Sequence, residues 1–346
     1  MRELDACGIG FVADAHGRST RSIVTAALEG LANVKHRGAV AADARTSDGC
    51  GLLTTIPGAI YGEGTGVAML FVRGEDPTGA IEGAAHAEDL DVVGWRSPAT
   101  DPSVLGDLAV RTQPRIVQAL LRPSAALAAE LDRLGRAGAE QPRDPTFPPD
   151  PVGDELERRT YRMRRRIEAV VTDTYVVSCS FRTIVHKGLA AADSLAGFYL
   201  DLADDRFTAH LTVFHQRFST NTLPTWERAQ PFRMLCHNGE INTIEGNENR
   251  MRARARLGTA KAGLGPEELF RPVLGTEGSD SGRLDEAAEL LLRGGRPVSH
   301  AVAMLVPEAW EETRDLDPEL RGFYEYHSAL MEPWDGPAGV IFTDGI

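Results

Sequence analysis

No stretch of this chain approaches the roughly 20 consecutive apolar residues that span a bilayer, and its first residues lack the basic, then apolar, then small-residue layout of a secretory signal. A cytoplasmic protein is expected. Cysteine is scarce: Cys7, Cys50, Cys179 and Cys236 lie far apart with no C-x-x-C pair, so they form no zinc-ligand pattern and demand no disulfide framework. Reduced thiols and no metal are expected. Positive charge is also in deficit, with 37 Lys and Arg against 50 Asp and Glu and a formal net charge of −13, which repels polyphosphate backbones and anionic membrane surfaces. Neither nucleic acid nor membrane is an expected partner. What remains is a 346-residue chain, 42% hydrophobic, able to bury a large core as one big domain or two smaller ones.

The pattern along the chain predicts an α+β class. Cys7 to Ala13 alternates small and apolar residues as a first strand would. Ser19 or Thr20 can cap a helix whose apolar positions, Ile23, Val24, Ala27, Leu28, Leu31 and Val34, recur at 3.6-residue spacing up to Gly38. Cys50–Ile56 and Val67–Val72 read as strands joined by short connections. Residues from about 99 to 154 are rich in Pro, Ala, Gly and Arg and read as a long surface excursion. Arg158, Arg159, Arg162, Arg164, Arg165 and Arg166 follow in an amphipathic helix, where a solvated face is the simplest reading and the flanking Glu155, Glu157 and Glu168 oppose RNA binding. A strand within 206–217, another over Met234–His237, a helix over Asp285–Arg293 and a last helix from Pro297 complete the outline.

Cys7 stands in Asp5-Ala-Cys-Gly-Ile-Gly-Phe11, where removal of Met1 to Ala6 would make it the N-terminus. A free N-terminal cysteine joins a thiol that attacks carbonyl carbon to an α-amine, with a pKa of about 8, that takes the thiol proton. Taken alone, Cys7 reads more simply as a packed strand thiol, since a lone cysteine is usually structural. Three polar turns accompany it: His215-Gln-Arg-Phe-Ser-Thr-Asn-Thr222, His237-Asn-Gly-Glu-Ile-Asn242 and Gly278-Ser-Asp-Ser281.

Together with Cys7-Gly-Ile-Gly-Phe and His36-Arg-Gly38, these turns resemble the class II glutamine amidotransferases, the N-terminal-nucleophile (Ntn) family, in order and spacing. Leu290-Leu-Leu-Arg-Gly-Gly-Arg296, Pro307-Glu-Ala-Trp310 and Tyr326 to Pro337 are similar to the amidotransferase domain of glutamate synthase large subunits in particular. The resemblance covers essentially the whole chain. It implies a four-layer αββα sandwich formed by residues 7–346, a propeptide over 1–6, and hydrolysis of the glutamine side-chain amide through a γ-glutamyl thioester on Cys7, with the ammonia used by an acceptor elsewhere.

By the same resemblance Arg217 binds the α-carboxylate, for which its planar fork suits bidentate pairing, and Asp280 holds the α-ammonium. Asn238 and Gly239 form the oxyanion hole, although Asn-Gly is also the strongest short signal for a type I′ hairpin turn. Thr220 and Asn221 line the pocket and Arg37 steadies the Cys7 end; each of the three has an equally simple reading as a polar residue satisfying nearby backbone. Arg217 could otherwise be an ion-paired strand-end arginine, and Asp280 a helix N-cap. His215 and His237 receive no base role, because the N-terminal amine makes one unnecessary. Cys50 and Cys236 read as small buried hydrophobes.

The resembling enzymes continue beyond this point with further strands of the sandwich, a central domain, an FMN and iron–sulfur synthase domain and a β-helix. The resemblance therefore implies a sheet left incomplete at residue 346, no cofactor in this chain, and FMN and the cluster in the synthase portion or in a partner that takes the ammonia. Two alternatives stay open on the residues alone: ammonia delivered to another biosynthetic acceptor, and a catalytically silent module that only binds glutamine.

Overall fold

Strands β2 (Cys50–Thr55), β3 (Gly66–Val72) and β7 (Thr183–Gly188) are buried at every position, which requires cover on both faces. The computed structural model that shows this describes residues 7–43, 45–139, 150–217, 223–241, 245–261, 264–265, 274, 279–336 and 338–346. The chain divides into two units, one running to Arg233 and including Gly345–Ile346, the other covering Met234–Asp344.

The first unit holds two four-stranded antiparallel sheets. One has the order β1-β8-β2-β7, with β1 over Gly8–Ala13 and β8 over Leu211–Gln216. The other has the order β4-β5-β3-β6, with β4 over Leu90–Arg96, β5 over Arg115–Pro123 and β6 over Thr174–Ser180. Helix α1 (Arg21–Asn33) packs on β1 and β8. The short helices α2 (Gly58–Tyr61), α4 (Asp107–Arg111) and α7 (Leu195–Phe198) are connectors, and α3 (Thr78–His86), α5 (Ala125–Ala139) and α6 (Pro151–Val170) cover the second sheet. Ala68, Leu70 and Val72 on one face of β3 join Ile81, Leu127, Leu131, Met163 and Ile167 of those helices in a single apolar cluster. The opposite face, with Val67, Met69 and Phe71, is equally buried, and β7 of the first sheet packs against β3. Helices thus lie outside two stacked sheets, the αββα order within this unit.

Two expectations are corrected here. Residues 99–154 are not a surface excursion: Arg115–Pro123 is an internal strand bonded to both β3 and β4, and Ala125–Ala139 is a helix. The prolines cluster in 140–149, outside the described residues. Nor do the arginines of α6 form a solvated face. Arg164 is 1% exposed and pairs with Glu168, Arg159 bridges Glu155 and Asp89, and Glu88 receives both Arg162 and Arg166. Their acids come partly from α3–β4, so the cluster ties helix to sheet and leaves little charge for a polyanion.

The second unit contains α8 (Glu245–Lys261), α9 (Asp280–Arg293), α10 (Val298–Leu305), α11 (Pro318–Leu330) and a two-stranded antiparallel ribbon of β9 (Leu235–Gly239) and β10 (Ala338–Phe342). Leu235, Met251, Leu284, Ala287, Met304, Leu305, Met331 and Trp334 belong to its own core.

Candidate active site

In the first unit, Cys7 directly precedes β1. The β1–β8 ladder begins with Gly8 opposite Gln216, so the next residues outward, Cys7 and Arg217, leave the sheet at the same end. Two glycines allow this end to be closed by the first helix. A Cβ on Gly8 would lie 2.6 Å from Val34 Cβ and 3.4 Å from Arg37 Cβ, and one on Gly10 would run into the Phe214 ring. Glycine therefore lets the end of α1 and the 3₁₀ turn Lys35–Arg37 lie directly on β1, which sets Arg37 beside Gly8, the residue that follows Cys7 in the chain. Gln216 fills the space over Gly38, its amide nitrogen donating to the carbonyls of Arg217 (3.2 Å) and Gly49 (3.5 Å).

Arg217 is 6% exposed, which removes the reading as a surface ion-pair arginine. Its backbone N–H donates to Gly49 O at 2.8 Å and its Nη1 to Asp48 O at 3.4 Å. Gly49 has φ +115°, a conformation that favours glycine, and a Cβ there would stand 2.8 Å from that of Ala229. The Asp48–Gly49 bend thus holds the guanidinium stem. Thr220 and Asn221 lie outside the described residues. Cys50 is wholly buried, and burial pushes its thiol well above its ordinary range, as an inert packed cysteine requires.

In the second unit, Asn238 and Gly239 end β9 opposite Gly339 and Ala338 of β10. The type I′ hairpin reading is overturned: the strand that pairs with β9 comes about a hundred residues later, so this Asn-Gly joins no adjacent strands. Gly239 carries φ +140°, which explains the glycine differently. Cys236, on the same strand, is wholly buried.

Asp280 is the first residue of α9, half-buried, but it is not the N-cap. Ser279 has that role, its hydroxyl accepting from Gly282 N–H at 3.2 Å. Asp280 Oδ1 instead accepts from Ser281 N–H (2.7 Å) and Ser281 Oγ (3.2 Å), with its charge where the helix dipole favours an anion. Ser281 Oγ lies 3.0 Å from Nδ1 of His237, which is 2% exposed on β9 immediately before Asn238. Burial holds the His237 imidazole below its ordinary pKa, with nearby Asp280 pulling the other way. Asp285, wholly buried one turn and a half along α9, accepts from the backbone N–H groups of Met234 (2.7 Å) and Leu235 (3.1 Å). Helix α9 is therefore pinned to both ends of the strand that carries Asn238.

Sequence reasoning weighed His237 only as a base, and it missed Asp285 and the Asp48–Gly49 bend. Their roles come from partners 44, 51 and 169 positions away, and no local pattern encodes that.

Among the described residues no group of three His, Cys, Asp or Glu side chains is arranged to hold a metal ion, and no helix is long and apolar enough to cross a membrane. The family model for class II glutamine amidotransferases matches residues 7–346, beginning at Cys7. The chain is 39% identical over 371 residues to ferredoxin-dependent glutamate synthase 2 of Synechocystis sp., covering 100% of this chain and 22% of that protein. It is 38% identical to the glutamate synthase [NADPH] large chain of Bacillus subtilis, covering 99% of this chain and 22% of the relative, and 37% identical to ferredoxin-dependent glutamate synthase 2, chloroplastic, of Arabidopsis thaliana. The chain spans about a fifth of the length of these curated relatives. With two stacked antiparallel sheets between helices and a family match along its length, the chain belongs to the class II glutamine amidotransferases, enzymes of the Ntn-hydrolase fold.

Proposed function

We propose that this chain performs the glutaminase half-reaction of a glutamate synthase-type enzyme, releasing ammonia from the glutamine side chain for a synthase acceptor. The observation that carries the reading is the coincidence of the family match with Cys7 as its first residue and the register that sends Cys7 and Arg217 off the same end of β1 and β8. All the relatives described above are glutamate synthases, which favours that acceptor over another.

The chemistry begins with loss of Met1 to Ala6, since an acylated Cys7 nitrogen is an amide without useful basicity. The freed amine takes the thiol proton as sulfur attacks the amide carbon. Negative charge passes to the amide oxygen, where Asn238 and Gly239 donate hydrogen bonds worth about 3 kcal/mol each in comparable sites. The resulting ammonium returns a proton to the leaving nitrogen, the C–N bond breaks, and ammonia departs from a γ-glutamyl thioester. Water, deprotonated by the same amine, then cleaves the thioester to glutamate and restores the thiol. Arg217 pairs with the α-carboxylate and Asp280 with the α-ammonium, fixing the amide against sulfur. Thr220, Asn221 and Arg37 are assigned to lining and steadying the pocket.

FMN and an iron–sulfur cluster belong, on this reading, to the synthase portion. Cys50, Cys179 and Cys236 are buried singly in three different strands and do not make a cluster-binding set. The test is glutamine turnover by protein that begins at Cys7. Cys7→Ala should abolish it, and full activity in that variant would remove the assignment.

A further inference from the structure

The geometry points to Ser281 as the residue that orients Asp280, with His237 donating to Ser281 from Nδ1 so that a single chain of hydrogen bonds runs from the oxyanion strand to the ammonium-binding carboxylate. This rests on the reading of Asp280 as the group that receives the α-ammonium of glutamine.

The polarity of the chain follows from its members. An ionised carboxylate only accepts, so the 3.2 Å contact between Ser281 Oγ and Asp280 Oδ1 requires the serine hydroxyl to donate to Asp280. A hydroxyl has one proton, so the 3.0 Å contact with His237 must then be donated by Nδ1–H into Ser281 Oγ. The neutral imidazole favoured by burial is therefore the Nδ1–H tautomer, and the order is Nδ1–H to Oγ–H to Oδ1. Helix α9 has no need of this arrangement as a cap, because Ser279 already satisfies Gly282. Both Ser281 contacts fall on Oδ1, and among the described residues Oδ2 accepts no hydrogen bond. One carboxylate oxygen is thus immobilised while the other can meet an ammonium. A carboxylate held only by the backbone N–H of Ser281 could swing about χ1 and χ2; the hydroxyl, itself fixed by a 2%-exposed histidine, removes that freedom. His237 and Ser281 are positioning residues, acting on substrate through Asp280.

The readout is the ratio of kcat/KM for glutamine to that for its analogue lacking the α-amino group, 5-amino-5-oxopentanoate, measured on the N-terminally processed protein. Ser281→Ala should lower the ratio about tenfold, chiefly by raising the KM for glutamine, while the analogue is turned over at the parental rate. Ser281→Thr, which keeps the hydroxyl, should restore the ratio to within about threefold, and His237→Leu should behave as Ser281→Ala does. A purely structural role would depress both substrates equally, and an unchanged ratio in Ser281→Ala beside a collapsed one in Asp280→Asn would overturn the relay alone. An unchanged ratio in Asp280→Asn would overturn the reading of Asp280 and the relay with it. Independently of turnover, imidazole nitrogen NMR at neutral pH should show the Nδ1–H tautomer for His237, and the Nε2–H tautomer would refute the inference.

Discussion

His186 makes stability depend on pH in a way that the structure allows to be calculated. It sits in the middle of β7, wholly buried, edge-on to Tyr199 at 5.0 Å and Phe207 at 5.6 Å between ring centroids. Among the described residues neither ring nitrogen has a hydrogen-bond partner. Burial pushes its pKa from 6.5 down to about 4, against a smaller pull upward from Asp201. Protonation therefore favours the unfolded chain: the stability His186 permits is full above pH 6.5 and is lost as pH falls through the window from 6.5 toward about 4. Over the whole window the loss is about 3 kcal/mol, and by about pH 5 it has reached about 2 kcal/mol. Leucine has similar volume and no polar atom, so His186→Leu should remove this dependence. Urea unfolding at about pH 7.5 and about pH 5 measures it: the fall in stability between the two should be about 2 kcal/mol smaller in the variant than in the parent. Equal falls in the two proteins would refute the assignment of a neutral, unpartnered His186.

Gly10→Ala would force a methyl group into the Phe214 ring of β8 and should cost about 1–3 kcal/mol, seen as a lowered Tm; an unchanged Tm would mean that the Phe214 ring does not lie over Gly10 as described. Arg217→Lys should raise the KM for glutamine strongly, because a single ammonium cannot reproduce a two-pronged carboxylate contact; an unchanged KM would free Arg217 of its role. Asp285→Ala strands the backbone N–H groups of Met234 and Leu235 and should destabilise the second unit by about 2–4 kcal/mol, read by hydrogen exchange at β9, where protection equal to the parent would contradict the clamp.

Periodicity made α1, β2, β3 and α9 legible because each signals itself locally, through 3.6-residue spacing or a short apolar run between turn residues. The Arg115–Pro123 strand carried the same signal in Ile116, Val117, Leu120 and Leu121, but composition averaged over 99–154 concealed it. Asn238–Gly239 misled for the opposite reason: a strong local turn signal yielded to pairing with Ala338–Phe342, which no window of a dozen residues contains. The arginines of α6 looked solvated because two of their acidic partners, Glu88 and Asp89, lie some 70 residues away. Site residues fared similarly. Cys7, Arg217, Asn238 and Asp280 stood out as motif members, whereas His237, Ser281 and Asp285 acquire meaning only from the packing of α9 on β9.

Mass spectrometry of the purified enzyme, quenched in acid during glutamine turnover, tests the account most directly. The N-terminal peptide should begin at Cys7 and carry a γ-glutamyl group on its sulfur. Rapid turnover by chains that retain Met1 to Ala6, or by processed chains whose Cys7 never bears that group, would contradict it.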